Sequence, residues 1–348
     1  GNILFVDGTK IRANAGIGSH KDKTTLEKRL KHIDEAIEKL LKDIETIDKL
    51  EENQSSYVEM SKELSESKKL KEKVEIALKN IEELNVSSIN MTDKDAIKVK
   101  GRQGMHAGMN HQVVTDGKHG LIVSSDVVKE ANDKRQLAKQ ITKANKVLEK
   151  PCKIAVGDSG YSTAEECEKL VKVEIEVIVP NQEQASHKKE EEKVDKPFDK
   201  SKFEYDKEND VYICPEGKVL KRNRIDKQRK TIDYKNKKDC LSCKNYGHCT
   251  TSKTGRIIKR KEAEETAEIV EKNFETSRAK EIYDRRKEVA ELPFGYIKRF
   301  LDGGYFLLRG LEKVNAEASL FCTCFNLRRM MTLLGGVRPM MEKLSIKQ

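Results

Sequence analysis

Short apolar runs that end in polar turns constrain this chain more than any other feature. Ile3-Leu4-Phe5-Val6 ends at Asp7-Gly8-Thr9 and continues with alternation through Lys10-Ile11-Arg12-Ala13. Lys153-Ile154-Ala155-Val156-Gly157 runs into Asp158-Ser159-Gly160-Tyr161-Ser162, and Glu176-Val177-Ile178-Val179 stops at Pro180. Runs of this length with β-branched and aromatic members predict buried strands. His111–Thr115 and Leu121–Ser125 flank Asp116-Gly117-Lys118-His119-Gly120, a β-hairpin signal. Leu137, Ile141 and Leu148 mark a helix punctuated by Pro151. Another begins near Thr163, with Ser162 or Thr163 as N-cap and Glu165 or Glu166 in its first turn. Strand, hairpin, helix, strand, helix, strand is the order of a mixed α/β sheet, whose parallel parts need crossover helices.

A different period interrupts this pattern. Leu26, Leu30, Ile33, Ile37, Leu40, Ile44 and Ile47 follow a four-three heptad spacing, resumed after a polar break by Leu70, Val74, Ala77, Ile81 and Leu84. Two such helices joined by a short turn predict an antiparallel helical hairpin, a structural or oligomerising insertion. Residues 85–110 read as a polar linker, and Asn181 to about Phe203 as a linker or flexible entry into a second insertion. A charged helical stretch follows over about 261–291, then an amphipathic end over 293–335.

Charge is distributed unevenly. The net formal charge of the 348 residues is +10, yet Lys218 to Lys261 alone holds 16 Lys or Arg against 3 Asp or Glu. A basic block on a mildly acidic body is the electrostatic footprint of a phosphate-binding surface, or of a solvated Lys-rich insertion. No apolar run reaches the ~18–20 residues that cross a bilayer. The first residues lack a basic region followed by an apolar core, so no secretion signal is visible. Eight Cys without an export signal point to a reducing compartment, where thiols are metal ligands or buried.

Asp7 and Asp158 each follow an apolar strand and precede a small residue. Metal-dependent phosphoryl transfer needs hard oxygen ligands held rigidly, and neighbouring strand ends can supply them. Turn chemistry is the other reading of such an Asp. Glu291 and Lys298 lie seven apart and would share a face of a continuous helix, with Pro293 either in a new first turn or kinking an old one. Asp93 and Asp95 are an alternative first ligand, or an Asx-turn or helix cap. Cys214 and the run Cys240-x2-Cys243-x5-Cys249 suit a closed tetrahedral zinc site, in which His248 could replace one thiolate. Reduced, partly exposed thiols are the alternative. Cys152, Cys167, Cys322 and Cys324 read as small core residues.

Several of these segments, in this order, resemble the DDE insertion-sequence transposases. Leu4-Phe5-Val6-Asp7-Gly8-Thr9-Lys10-Ile11-Arg12-Ala13-Asn14-Ala15 looks like the family's first strand. Thr92-Asp93-Lys94-Asp95-Ala96 resembles its T-D-x-D-A segment, and Val156-Gly157-Asp158-Ser159-Gly160-Tyr161 its A-D-x-G-Y motif. Glu291-Leu292-Pro293-Phe294-Gly295-x2-Lys298 resembles its E-H-P-F-G-x2-K segment, with Leu292 where the family has His. Arg309–Val314 and Phe325-Asn326-Leu327 look like its closing helices.

The resemblance implies an RNase H-like catalytic core over 1–19, 89–180 and 262–335. A coiled-coil insertion at 20–88 and a basic, Cys-containing, zinc-ribbon-like insertion at 181–261 would interrupt it, and 336–348 would be a tail. It implies Asp7, Asp158 and Glu291 as ligands of Mg²⁺ (or Mn²⁺) for phosphodiester hydrolysis and strand transfer. Lys298, Arg299, Tyr283 and Arg286 would contact transposon-end DNA. The family's Tyr-Arg-Glu-Lys signature is offset here by about one residue at Tyr283 and Arg286. The implied partner is double-stranded DNA, bound as a homodimer, in the nucleoid-associated cytoplasm and with no membrane. Full-length relatives carry a further N-terminal region, so the chain is expected to be N-terminally truncated. A catalytically inactive relic that only binds nucleic acid through a zinc-bearing module is the rival expectation, and a coiled-coil scaffold a third.

Overall fold

The computed structural model describes residues 1–50, 54–101, 104–186, 197–228 and 230–345. In chain order come β1 (Ile3–Arg12), β2 (His20–Asp22), α1 (Lys23–Leu50), α2 (Gln54–Glu83), β3 (Ser88–Asn90) and β4 (Ile97–Gly101). Next are β5 (Gly104–Asp116), β6 (Ile122–Val128), α3 (Leu137–Val147), β7 (Ile154–Val156), α4 (Ala164–Val171), β8 (Glu176–Ile178) and α5 (Gln182–Ala185). Then follow β9 (Glu204–Asp206), β10 (Val211–Ile213), β11 (Val219–Asp226), β12 (Thr231–Lys235), α6 (Lys237–Leu241) and β13 (Ile257–Lys261). The chain ends in α7 (Glu264–Phe274), α8 (Ser277–Asp284), α9 (Leu292–Phe300), α10 (Leu311–Leu334) and α11 (Val337–Ser345). The protein is thus a mixed α/β structure. Among the described residues no helix is long and apolar enough to cross a membrane.

The chain divides into two compact units. One comprises Gly1–Asp133, Lys139–Cys152 and Arg285–Gln348, the other Lys134–Ala138 and Lys153–Asp284.

In the first unit β5 is the central strand. It pairs antiparallel with β1 along Leu4↔Asp116 to Arg12↔Gly108, and with β6 and β4 over two different stretches of its length. Every residue from Ala107 to Asp116 is buried, as expected of a strand covered on both faces. α9 and α10 provide cover: Phe294 and Ile297 from one, and Cys322 and Phe325 from the other, pack with Val113 and Ile122. Val314 and Ala318 of α10 pack with Ile11, Met109 and Phe306. Helices α1 and α2 bury Leu26, Ile33, Val74, Ala77 and Ile81 together with Ile89 of β3.

The stretch 85–110 differs from the linker expected of it. It contains β3, β4 and the first part of β5, because Val99, Ala107 and Met109 are buried by the pairing partners of β5. Its lysines and glycines hide that alternation in the sequence. Cys324 also departs from expectation, being exposed on α10, whereas Cys152, Cys167 and Cys322 are buried.

In the second unit β7 and β8 run parallel, with α4 as the crossover between them. A separate five-stranded antiparallel sheet runs β13-β12-β11-β10-β9. Its small core is Phe203, Tyr212, Leu220, Tyr234 and Ile258. Within the expected linker 181–203, Asn181 caps α5 through a reciprocal pair of hydrogen bonds with Gln184. Residues 187–196 of that stretch lie outside the described residues.

Candidate active site

Asp7 sits in the middle of β1, opposite Val113 of β5, and is nearly buried. A carboxylate in that position requires a partner. Arg286 supplies one: its Nη2 donates to Asp7 Oδ1 at 3.1 Å. The same guanidinium reaches the other way, placing Nη1 3.8 Å from Glu291 Oε1. Two of the acids singled out in the sequence are therefore joined through one cation. Arg286 and the Asp7 side chain are 13% and 12% exposed, while Glu291 is 50% exposed, so the Asp7 arm is the less screened.

Local backbone explains why Arg286 and Glu291 meet although five positions separate them. Residues Lys287–Glu291 form a single π-helical turn that leads into α9. A π turn closes i→i+5 hydrogen bonds and so holds one residue more than an α turn. Pro293 then falls in the first turn of α9, where its missing N–H costs nothing. Further along α9, the Lys298 ammonium donates to the Thr9 hydroxyl, two residues beyond Asp7. Arg299 follows on the exposed side, its guanidinium 5.8 Å from the Phe300 ring centroid.

Sequence reasoning missed a polar network next to Asp7. Asp133 accepts hydrogen bonds from Lys10 Nζ at 3.1 Å, Asn110 Nδ2 at 2.8 Å and Gln112 Nε2 at 2.6 Å. Asn110 and Gln112 are fully buried on β5. Gly8 packs on this network, since a Cβ there would come within 2.2 Å of Gln112 Nε2. No local sequence signal marks Asp133, because its partners lie at least 21 positions away.

Asp93 and Asp95 are accounted for as caps. Asp95 N–H donates to Asp93 Oδ1 at 3.0 Å, an Asx-turn. Their other oxygens take the N–H groups of Gly310 at 3.1 Å and Leu311 at 2.8 Å, at the start of α10. Two carboxylates at a helix N-terminus satisfy its orphan donors and its dipole.

Asp158 and Tyr283 belong to the second unit. Asp158 stands two residues after β7 and caps a 3₁₀ turn over Ser159–Tyr161, its Oδ1 accepting from Gly160 N–H at 2.7 Å. Tyr283 stacks edge-on with Phe274 at 5.1 Å. The basic block forms β11 to β13. Lys221 and Lys235 are directly opposed in the register, and Arg224, Asp233 and Lys259 are aligned across the same three strands.

The four cysteines of the zinc expectation surround a cavity of about 30 Å³ in this unit, whereas His248 is exposed and does not line it. Among the described residues no group of three His, Cys, Asp or Glu side chains stands ready to hold a metal ion.

No curated protein and no solved structure matches the chain. Residues 213–331 match a family model, the transposase DDE domain. That stretch holds Tyr283, Arg286, Glu291, Lys298 and the four cysteines, while Asp7 and Asp158 precede it. Residues 213–331 are thus similar to a transposase DDE domain.

Proposed function

We propose that this protein cleaves and joins DNA at insertion-sequence ends, with Asp7, Asp158 and Glu291 as the acids that hold Mg²⁺ or Mn²⁺ on an RNase H-like core. The observation that carries the reading is a cation, Arg286, held between Asp7 and Glu291. Asp7 and Arg286 meet there from 279 positions apart, and Glu291 approaches the same guanidinium. Acids that gather around one cation could take a divalent ion in its place. Held by these three acids, divalent ions would supply activation of the attacking water or 3′-hydroxyl and stabilisation of the leaving oxygen.

The chain's own groups have separable roles in this reading. Asp7 is fixed by strand pairing and Asp158 by its hydrogen bond from Gly160, so neither carboxylate must be ordered at the moment of binding. Glu291, more exposed and carried by a π turn, is the movable ligand. Lys298, beside Thr9, and the exposed Arg299 on α9 would hold the phosphate backbone. The outer faces of β11 to β13 supply a basic surface of their own in the second unit. The helical hairpin at 20–88 is a structural or dimerising insertion.

The test is end cleavage and strand transfer by the full-length protein with Mg²⁺ or Mn²⁺. Asp7→Ala, Asp158→Ala and Glu291→Ala should each lower turnover by at least about 10³-fold and leave DNA affinity within a few-fold. Retained metal-dependent cleavage in all three variants would reject the triad. Tight DNA binding by a wild-type protein without metal-dependent turnover would favour the catalytically inactive relic.

A further inference from the structure

The second unit contains a feature that the cleavage chemistry does not use. Cys214 follows β10, Cys240 lies on α6, and Cys243 and Cys249 lie in the loop after it. All four are free thiols of intermediate exposure that line one cavity. Its volume, about 30 Å³, is that of a single small occupant.

The backbone around these thiols is shaped for thiolates. Cys214-Pro215-Glu216-Gly217-Lys218 folds back on itself, with Gly217 N–H donating to Cys214 O at 2.8 Å and Cys214 N–H to Lys218 O at 2.9 Å. Gly217 adopts φ +70°, open to glycine and costly for other residues. The turn aims Lys218 N–H at Cys214 Sγ, 3.3 Å away, so that a negative charge on that sulfur would be stabilised by an amide. Gly255, at φ +81°, packs against Cys240, since a Cβ there would come within 2.9 Å of Cys240 Cβ and 3.3 Å of its Sγ. Arg256 also lines the cavity.

We propose that Cys214, Cys240, Cys243 and Cys249 form a structural zinc site that closes one end of the five-stranded basic sheet. Tetrahedral Zn²⁺ with four thiolates needs Zn–S distances of about 2.3 Å, and the four thiols, which line one small cavity, would converge on the ion to supply them. Such thiols converge when metal replaces their protons, so a finished ligand group need not stand ready beforehand.

The sheet has reason to need the ion. Its core is five side chains, with Cys214 and Cys249 packed against them, and cores that small are commonly stapled by metal or disulfide.

The proposal is independent of the catalytic reading, and its test separates the two. The full chain, purified under reducing conditions with zinc in the medium, should carry one zinc per chain by atomic emission. Exchange with Co²⁺ should give intense thiolate-to-cobalt charge-transfer absorption and the strong visible bands of a tetrahedral site. Cys240→Ser with Cys243→Ser should reduce bound zinc at least tenfold, while Cys324→Ser should leave it unchanged. Should the double variant fail to fold, the cobalt spectrum of the wild type decides alone. Zinc below a tenth of an equivalent, a weak octahedral cobalt spectrum, or a disulfide within the set would overturn the proposal.

Discussion

Arg286 donates to Asp7 Oδ1 at 3.1 Å from 279 positions away, and the other arm of its guanidinium lies 3.8 Å from Glu291 Oε1. An arginine so placed competes with any divalent ion for the same oxygens. Arg286→Gln should therefore lower stability in metal-free buffer by about 2–3 kcal/mol, less than a fully buried pair because both side chains keep some exposure. Added Mg²⁺ should recover more stability in the variant than in the wild type. Thermal melts with and without MgCl₂ measure both effects. An equal Mg²⁺ response in the two proteins would show that Arg286 and the metal do not share ligands.

The basic sheet should be visible in the salt dependence of DNA binding. Lys221 and Lys235 face each other across β11 and β12, a like-charge pair that costs stability unless something negative lies over it. Lys259 continues the basic surface on β13. Anisotropy titrations with double-stranded DNA at several salt concentrations give the slope of log affinity on log salt. Replacing each of Lys221, Lys235 and Lys259 by Gln should reduce that slope by about 0.9 per lost phosphate contact. An unchanged slope in the triple variant would place the DNA elsewhere.

The strands with continuous apolar residues were legible in the sequence, and so was the turn chemistry after them. β1 with Asp7, the β5–β6 hairpin, and β7 followed by Asp158 all occur where period and punctuation put them. β3 and β4 were not legible: in β4, Lys98 and Lys100 alternate with Ile97 and Val99 over only five residues and the strand exists by pairing with β5, while β3 exists by pairing with β2. β9 was not legible either, since Glu204-Tyr205-Asp206 holds no apolar run. Within the candidate site, Arg286 was picked out for DNA but its bond to Asp7 was invisible, since nothing in a linear pattern records a partner 279 positions away. The one-residue offset at Arg286 was readable as an irregularity. The π turn over Lys287–Glu291 is a backbone state without a residue-type signature.

Two glycines should respond to alanine with opposite signs. A Cβ on Gly108 would sit 2.6 Å from both Ile11 O and Val99 Cγ2, and the carbonyl is fixed by the β1–β5 ladder. Gly108→Ala should cost about 1–3 kcal/mol by overpacking. Gly295 lies inside α9, and a Cβ added there would meet no atom within 4 Å. Gly295→Ala should gain about 0.4–1 kcal/mol by restricting the unfolded chain. Urea unfolding of the two variants checks both signs, and stabilisation by Gly108→Ala would contradict the close packing of β1, β4 and β5.

His111 should give the fold an acid-sensitive step. Its ring is fully buried, with Ser125 Oγ 2.8 Å from Nε2, the Phe294 ring 5.5 Å away and Cys322 Sγ at 3.9 Å. Burial, with Lys298 adding to it and Asp126 opposing, lowers the imidazole to about 4. The native protein thus keeps His111 neutral where the unfolded chain protonates it, near pH 6.5. Stability from this difference is fully present above pH 6.5 and is lost as pH falls toward 4, by up to about 3 kcal/mol. His111→Gln can keep a hydrogen bond to Ser125 without a titrating ring. The variant should lose stability at pH 7 yet flatten the decline between pH 6.5 and 4.5. Urea unfolding across that range measures the slope, and a wild-type profile as flat as the variant's would show that His111 does not titrate with folding.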